Sequence, residues 1–249
     1  MNNILRKIVN RNAFLWILFA FSGLIFSIGL SWKVNSELNF TYSFWYETLE
    51  IESHIDRYAP QNRFGKGSFV NTDKRQHVEL FQQVVDSINN HGAGLDKISF
   101  KTNGGSALLF TEAEVIHLQD VANLIDKLFI VWIIAGLVFL ILTIFYIKTK
   151  SPTPNFKAKA AAILTLLVSV VLVFITFGFT KVFYYLHTVV FPDNHQWFFY
   201  YQESLMSTFM KAPDLFAAMS LNLILVVFLI YIFAYNVFSK TLTKLALNN

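Results

Sequence analysis

The chain has 249 residues, 55% of them hydrophobic, 17% aromatic and only 14% charged, which is too apolar for an ordinary soluble domain. Its formal charge of +4 marks membrane topology rather than nucleic-acid binding. There is no cysteine, which excludes a disulfide, a thiolate nucleophile and a Cys-type zinc site.

Four segments of about twenty residues lack Asp, Glu, Lys and Arg: Asn12 to Trp32, Leu128 to Ile147, Ala160 to Thr180 and Leu215 to Ser239. Each is long enough to cross a bilayer as a helix, and in lipid only internally hydrogen-bonded structures are stable. The first follows Arg6, Lys7 and Arg11 as a signal peptide would, but it is too long and no small-x-small pattern follows. It is expected to be a retained helix. The N-terminus, the loop Lys148–Lys159 with Pro152 and Pro154, and the C-terminal tail hold nine basic residues and no acidic one. The other side takes the remaining basic residues, all sixteen acidic ones and all six histidines. The expectation is therefore an all-α protein of the bacterial cell membrane, with both termini cytoplasmic. Four transmembrane helices carry a small, mainly helical extracytoplasmic cap. Residues 1–34 form the N-terminus and first helix and 35–126 the cap. Residues 127–249 form helices two to four, with a second extracytoplasmic loop at 184–213.

In the cap, Phe40-Thr-Tyr-Ser-Phe-Trp-Tyr46 is aromatic enough for the headgroup level. Arg57 to Val70 reads as loop. Asp73 to Asn90 has apolar residues at helical spacing (Val78, Phe81, Val84, Val85, Ile88), and His91-Gly-Ala-Gly94 ends it. Ile98 to Thr102 and Ala107 to Phe110 flank Asn103-Gly-Gly, a hairpin or loop. Thr111-Glu-Ala-Glu114 fits a capping box, so a helix starts at about Glu112 and runs unbroken into the second span. The third span ends in Lys181-Val-Phe-Tyr-Tyr-Leu-His187. Glu203 to Met210 reads as a short interfacial helix, and Pro213-Asp214 starts the last span.

Chemistry concentrates at His117, with Glu114 and Asp120 three residues to either side. On a helix these share a face, so a carboxylate can fix one imidazole tautomer and leave the other nitrogen as base. The ordinary alternative is a solvated interfacial histidine. Topology brings His187 to the same depth, beside Tyr184 and Tyr185, and two ionisable groups converging at an interface suggest function. His187, His195, His117 and Asp193 match metal ligands by type, but no metal-ligand spacing is present, so no metal is expected. His54, His77 and His91 read as solvated. No nucleotide motif is present and no cofactor is expected. The aromatic clusters Phe40–Tyr46 and Trp197–Tyr201 are candidates to line a lipid pocket.

Two segments carry a family resemblance over nearly the whole length. Phe110-Thr-Glu-Ala-Glu-Val-Ile-His117-Leu-Gln-Asp120-Val121, and then His187-Thr-Val-Val-Phe191 with Trp197, Glu203, Leu205 and Phe209, resemble the bacterial lipoprotein intramolecular transacylases. Pro192 and His195 depart from the family's pattern, and Glu203 stands where an Asp is common. The resemblance implies acyl transfer from the sn-2 position of a diacylglyceryl-cysteine to the α-amino group of the same cysteine, giving a lyso-form lipoprotein. It also implies catalytic histidines at His117 and His187, no cofactor, and diacylglyceryl-modified lipoproteins and membrane lipid as partners. Glu114, Asp120, Tyr185 and Trp197 are the candidate supporting residues. His117, oriented by Asp120, is the expected base and His187 the acid or oxyanion donor, with the reverse order open. A non-catalytic lipid- or lipoprotein-binding membrane protein is the alternative, and an acyl-ester hydrolase a third.

Overall fold

Residues 3–102, 104–151 and 153–247 are described by the computed structural model. Asn103 of the expected turn and Pro152 of the expected loop lie outside them. The elements, in order, are α1 (Asn3–Glu37), α2 (Tyr42–Thr48), α3 (Ile51–Tyr58), α4 (Lys74–Ile88), β1 (Ser99–Thr102), β2 (Gly105–Leu108), α5 (Glu112–Thr149), α6 (Phe156–Phe177), α7 (Phe179–Val190), α8 (Leu205–Phe209) and α9 (Asp214–Leu247). Parts of α1 (Asn12–Glu37) and α9 (Asp214–Leu242), and all of α5, are long and apolar enough to cross a membrane. The pair Val171–Phe177 and Phe179–Val190 supplies a fourth span when taken as one. The molecule is thus an all-α membrane protein with a small helical cap.

The third span does not run straight to His187. Gly178 adopts φ 76° and ends α6, a left-handed conformation that glycine alone takes at little cost. His187 therefore rides on a separate helix, α7. The sequence hid the break because a single glycine between Phe177 and Phe179 leaves the apolar run intact.

The chain forms two compact units. The first comprises residues 1–32, 129–178 and 223–249. Its buried centre is Phe19, Leu142, Tyr146 and Phe238, with Trp16 and Phe139 packed against it. Gly29 lets α1 approach the Trp132 indole so closely that a Cβ would stand 2.2 Å from the ring. That indole donates to the Phe26 carbonyl at 2.9 Å. Many apolar side chains stay outside this packing, among them Phe14, Ile17, Phe21, Ile141, Leu225 and Phe233. Such extensive exposed apolar surface needs lipid to cover it.

The second unit comprises residues 33–128 and 179–222. It is built on α2, α3 and α4 with a two-stranded antiparallel hairpin, in which Ser99 pairs Leu108 and Thr102 pairs Gly105. Helix α4 is capped by Asp73, which accepts from the Gln76 amide at 2.8 Å. It ends before His91, Gly92 and Gly94, all at positive φ. Its buried face is His77, Leu80, Phe81, Val84, Val85 and Ser87.

Three sequence expectations change here. Phe40, Tyr42 and Tyr46 are core residues, not headgroup-level or pocket-lining ones: Tyr42 stacks on Phe81 at 4.3 Å and donates its hydroxyl to the Phe209 carbonyl at 2.7 Å. His77 is buried, not solvated, in a chain running from Tyr46 Oη to Nδ1 (2.9 Å) and from Nε2 to Thr72 Oγ1 (2.6 Å). Helix α8 is buried along its length rather than interfacial and packs on α3. In the last two cases, polar residues that suggest solvent in sequence are satisfied by neighbours in the fold.

Candidate active site

The first turn of α5 forms as its capping box requires. Thr111 Oγ1 faces the Glu114 amide at 3.4 Å, and Glu114 Oε2 accepts from the Thr111 amide (2.6 Å) and hydroxyl (2.8 Å). Glu114 is fully buried, and its other oxygen accepts from Ser204 Oγ (2.6 Å) and the Met206 amide (3.0 Å). One carboxylate thus ties the start of α5 to the start of α8. It is committed to that joint and makes no hydrogen bond to His117, correcting its expected role in orienting that ring.

One turn further on, His117 is 7% exposed. Its ring centroid lies 4.9 Å from Phe191, 6.0 Å from His187 and 6.1 Å from Phe199. Its Nδ1 is buried without a hydrogen-bond partner among the described residues. Asp120, expected to orient this ring, instead bonds His195 Nδ1 through Oδ2 at 2.6 Å. The reason is tertiary: the segment after α7 brings His195 within reach of the carboxylate.

His187 stands opposite on α7. Its Nδ1 lies 2.7 Å from the Phe183 carbonyl oxygen. A carbonyl only accepts, so Nδ1 carries the proton and, in the neutral ring, Nε2 carries the lone pair. Phe183 (4.1 Å), Phe191 (5.1 Å) and Trp197 (5.2 Å) surround the ring.

Of the supporting candidates, Trp197 therefore meets a histidine, whereas Tyr185 is 68% exposed. Helix α7 shows solvent or lipid its Tyr185, Leu186, Val189 and Val190 side. Phe183 and Ser204 are site residues that sequence reasoning missed, whereas Phe199 belongs to the Trp197–Tyr201 cluster it singled out. Within that cluster Trp197 and Phe199 face inward while Phe198 and Tyr200 are exposed, the alternation of an extended segment.

The site pairs two imidazoles about 6 Å apart in an aromatic wall, on a membrane protein with a helical cap. Two imidazoles so placed can exchange protons with a group held in an apolar setting, as an enzyme of the membrane requires. The family model for lipoprotein intramolecular transacylase Lit matches residues 15–211, and the chain belongs to this family of acyltransferases acting on lipoproteins. Three solved structures are similar over nearly their whole length. All are in meso structures of the membrane-integral lipoprotein intramolecular transacylase Lit from Bacillus cereus. A variant with one histidine changed to arginine is 16% identical, with 98% of each chain covered and a TM-score of 0.68. The variant with alanine there is 16% identical, covering 97% of this chain and 98% of that one, at 0.67. A third structure is 17% identical, covering 94% and 97%, at 0.65. At these identities the likeness carries the fold. Comparison with curated proteins gives no match.

Proposed function

We propose that the enzyme transfers the sn-2 acyl chain of a diacylglyceryl-cysteine lipoprotein to the α-amino group of the same cysteine, using His187 and His117 as its proton-transfer pair. The observation that carries this is the pairing of the two imidazoles, with the His187 tautomer fixed by the Phe183 carbonyl.

The amine nitrogen attacks the sn-2 ester carbonyl, forming a C–N bond. His187 Nε2 takes the proton that the nitrogen sheds. His117 meets the developing oxygen charge: leaving a lone pair rather than an N–H unpartnered at the buried Nδ1 is the lesser cost, so its proton sits on Nε2 as donor. Collapse of the tetrahedral centre breaks the C–O bond, and the sn-2 oxygen leaves as a free hydroxyl with the proton that His187 took from the amine, which restores the neutral ring. The products are an amide and a monoacylglyceryl thioether, with no water consumed. His187 is assigned as base because Asp120, the carboxylate that favoured His117, is engaged by His195.

Attacking amine and ester belong to one substrate, so holding them in attack geometry is the larger task. Phe183, Phe191, Trp197 and Phe199 suit it, because an apolar wall keeps out the water that would hydrolyse the ester. The nine basic residues at the termini and the loop around 148–159 favour a site on the extracytoplasmic face.

The test uses purified protein and a synthetic diacylglyceryl lipopeptide. His187→Ala and His117→Ala should each lower conversion by about a hundredfold or more. Wild-type turnover in either variant would remove that histidine from the mechanism.

A further inference from the structure

We propose that His195 and Asp120 are positioning residues, a clip that fastens the segment carrying Phe191, Trp197 and Phe199 to α5 and so sets the aromatic wall around the two histidines. The proposal rests on the transacylase reading of the site.

Between the end of α7 at Val190 and the start of α8 at Leu205 there is no helix or strand, so side-chain anchors must hold this stretch. Its far end has them: Ser204 on Glu114, the Arg63 amide on the Gln202 carbonyl at 2.8 Å, and Arg63 Nη1 on Glu203 at 2.8 Å. Its near half, 192–199, supplies Trp197 and Phe199 to the wall. There, His195 on Asp120 at 2.6 Å is the hydrogen bond, among the described residues, that reaches another element. The His195 amide to Pro192 carbonyl bond (3.0 Å) and the Gln196 to Phe198 carbonyl bond (3.0 Å) are internal to the segment.

Position gives the clip its leverage. Asp120 is three residues from His117 on one helix face. His195 lies two residues before Trp197, whose ring meets His187, and four before Phe199, whose ring meets His117. The side chains are one-third exposed for His195 and 13% exposed for Asp120, sheltered enough for a short charge-assisted bond to hold geometry. Neither residue touches the reacting atoms. Their effect is to keep the wall closed on a substrate already bound through its lipid chains, so loosening the clip should lower kcat more than it changes KM.

The experiment is a double-mutant cycle on the full-length protein in detergent micelles, with the diacylglyceryl lipopeptide as substrate. His195→Ala should lower kcat about tenfold, the weight of one charged hydrogen bond, with KM nearly unchanged. His195→Asn, whose amide nitrogen falls near the place of Nδ1, should restore most of the loss. In an Asp120→Ala background, which removes the acceptor, His195→Ala should cost little more. Hydrogen exchange of residues 191–204 should quicken in His195→Ala, a readout independent of turnover. If His187→Ala keeps wild-type activity while exchange still quickens, the transacylase mechanism fails and the clip stands as a structural device. Wild-type kcat for His195→Ala, the same tenfold loss in both backgrounds, or unchanged exchange would overturn the clip.

Discussion

At the scale of single residues, Glu114 and His187 divide the labour and should fail in different ways. Glu114 accepts four hydrogen bonds from Thr111, Ser204 and Met206 in a fully buried place. Glu114→Ala orphans those donors and should destabilise the protein by about 3–5 kcal/mol, read as a lower unfolding midpoint in detergent. A shift below about 1 kcal/mol would mean the joint is not made. His187→Ala should leave that midpoint nearly unmoved while turnover collapses. Tyr185→Ala, at an exposed position, should change neither stability nor kcat, and a large loss of kcat would bring Tyr185 into the site. Spacing made Thr111 and Glu114 legible as a box, and span topology brought His117 and His187 to one depth. The assignment of carboxylates was not legible. Helix spacing offered both Glu114 and Asp120 to His117, but their partners, Ser204 and His195, come from a segment about eighty residues away, and nothing local encodes that choice.

At the scale of elements, the break at Gly178 decides what α7 can be. A Cβ there would meet nothing within 4 Å, so Gly178→Ala tests backbone conformation without a clash. The left-handed φ should cost about 1–2 kcal/mol. Because α7 carries His187, activity should fall further than stability does, measured as kcat beside the thermal midpoint. Equal kcat with reduced stability would show that the break does not orient His187. Helices with strong local signals, α4 with its Asp73 cap and glycine-rich end and α5 with its box, are where the sequence directs. The irregular stretch from Phe191 to Ser204 and the burial of α8 depend on tertiary packing, which periodicity does not report.

At the scale of the whole molecule, the cap's stability is coupled to pH through two neutral histidines, His77 buried and His54 half-buried. Burial holds His77 at a pKa of about 4 and His54 also at about 4. The unfolded chain takes up these protons first, near pH 6.5. Stability is therefore fully present above pH 6.5 and is lost as pH falls towards 4, by about 3 kcal/mol for the deeply buried His77. Denaturant midpoints should fall across that window, and His77→Gln should flatten the slope. A wild-type midpoint independent of pH between 6.5 and 4 would contradict it. Membrane class and three of the four expected spans were open to reading from charge-free runs, since lipid imposes that pattern on any spanning helix.

Everything functional turns on where the acyl chain goes. Tandem mass spectrometry of N-terminal lipopeptides, from cells expressing the wild-type chain or His187→Ala, answers that directly. The wild type should yield N-acyl, S-monoacylglyceryl-cysteine with no rise in free fatty acid, and His187→Ala should leave the diacylglyceryl form with a free amine. Diacylglyceryl peptides unchanged by the wild type, or lyso peptides with a free amine accompanied by fatty acid, would contradict intramolecular transfer.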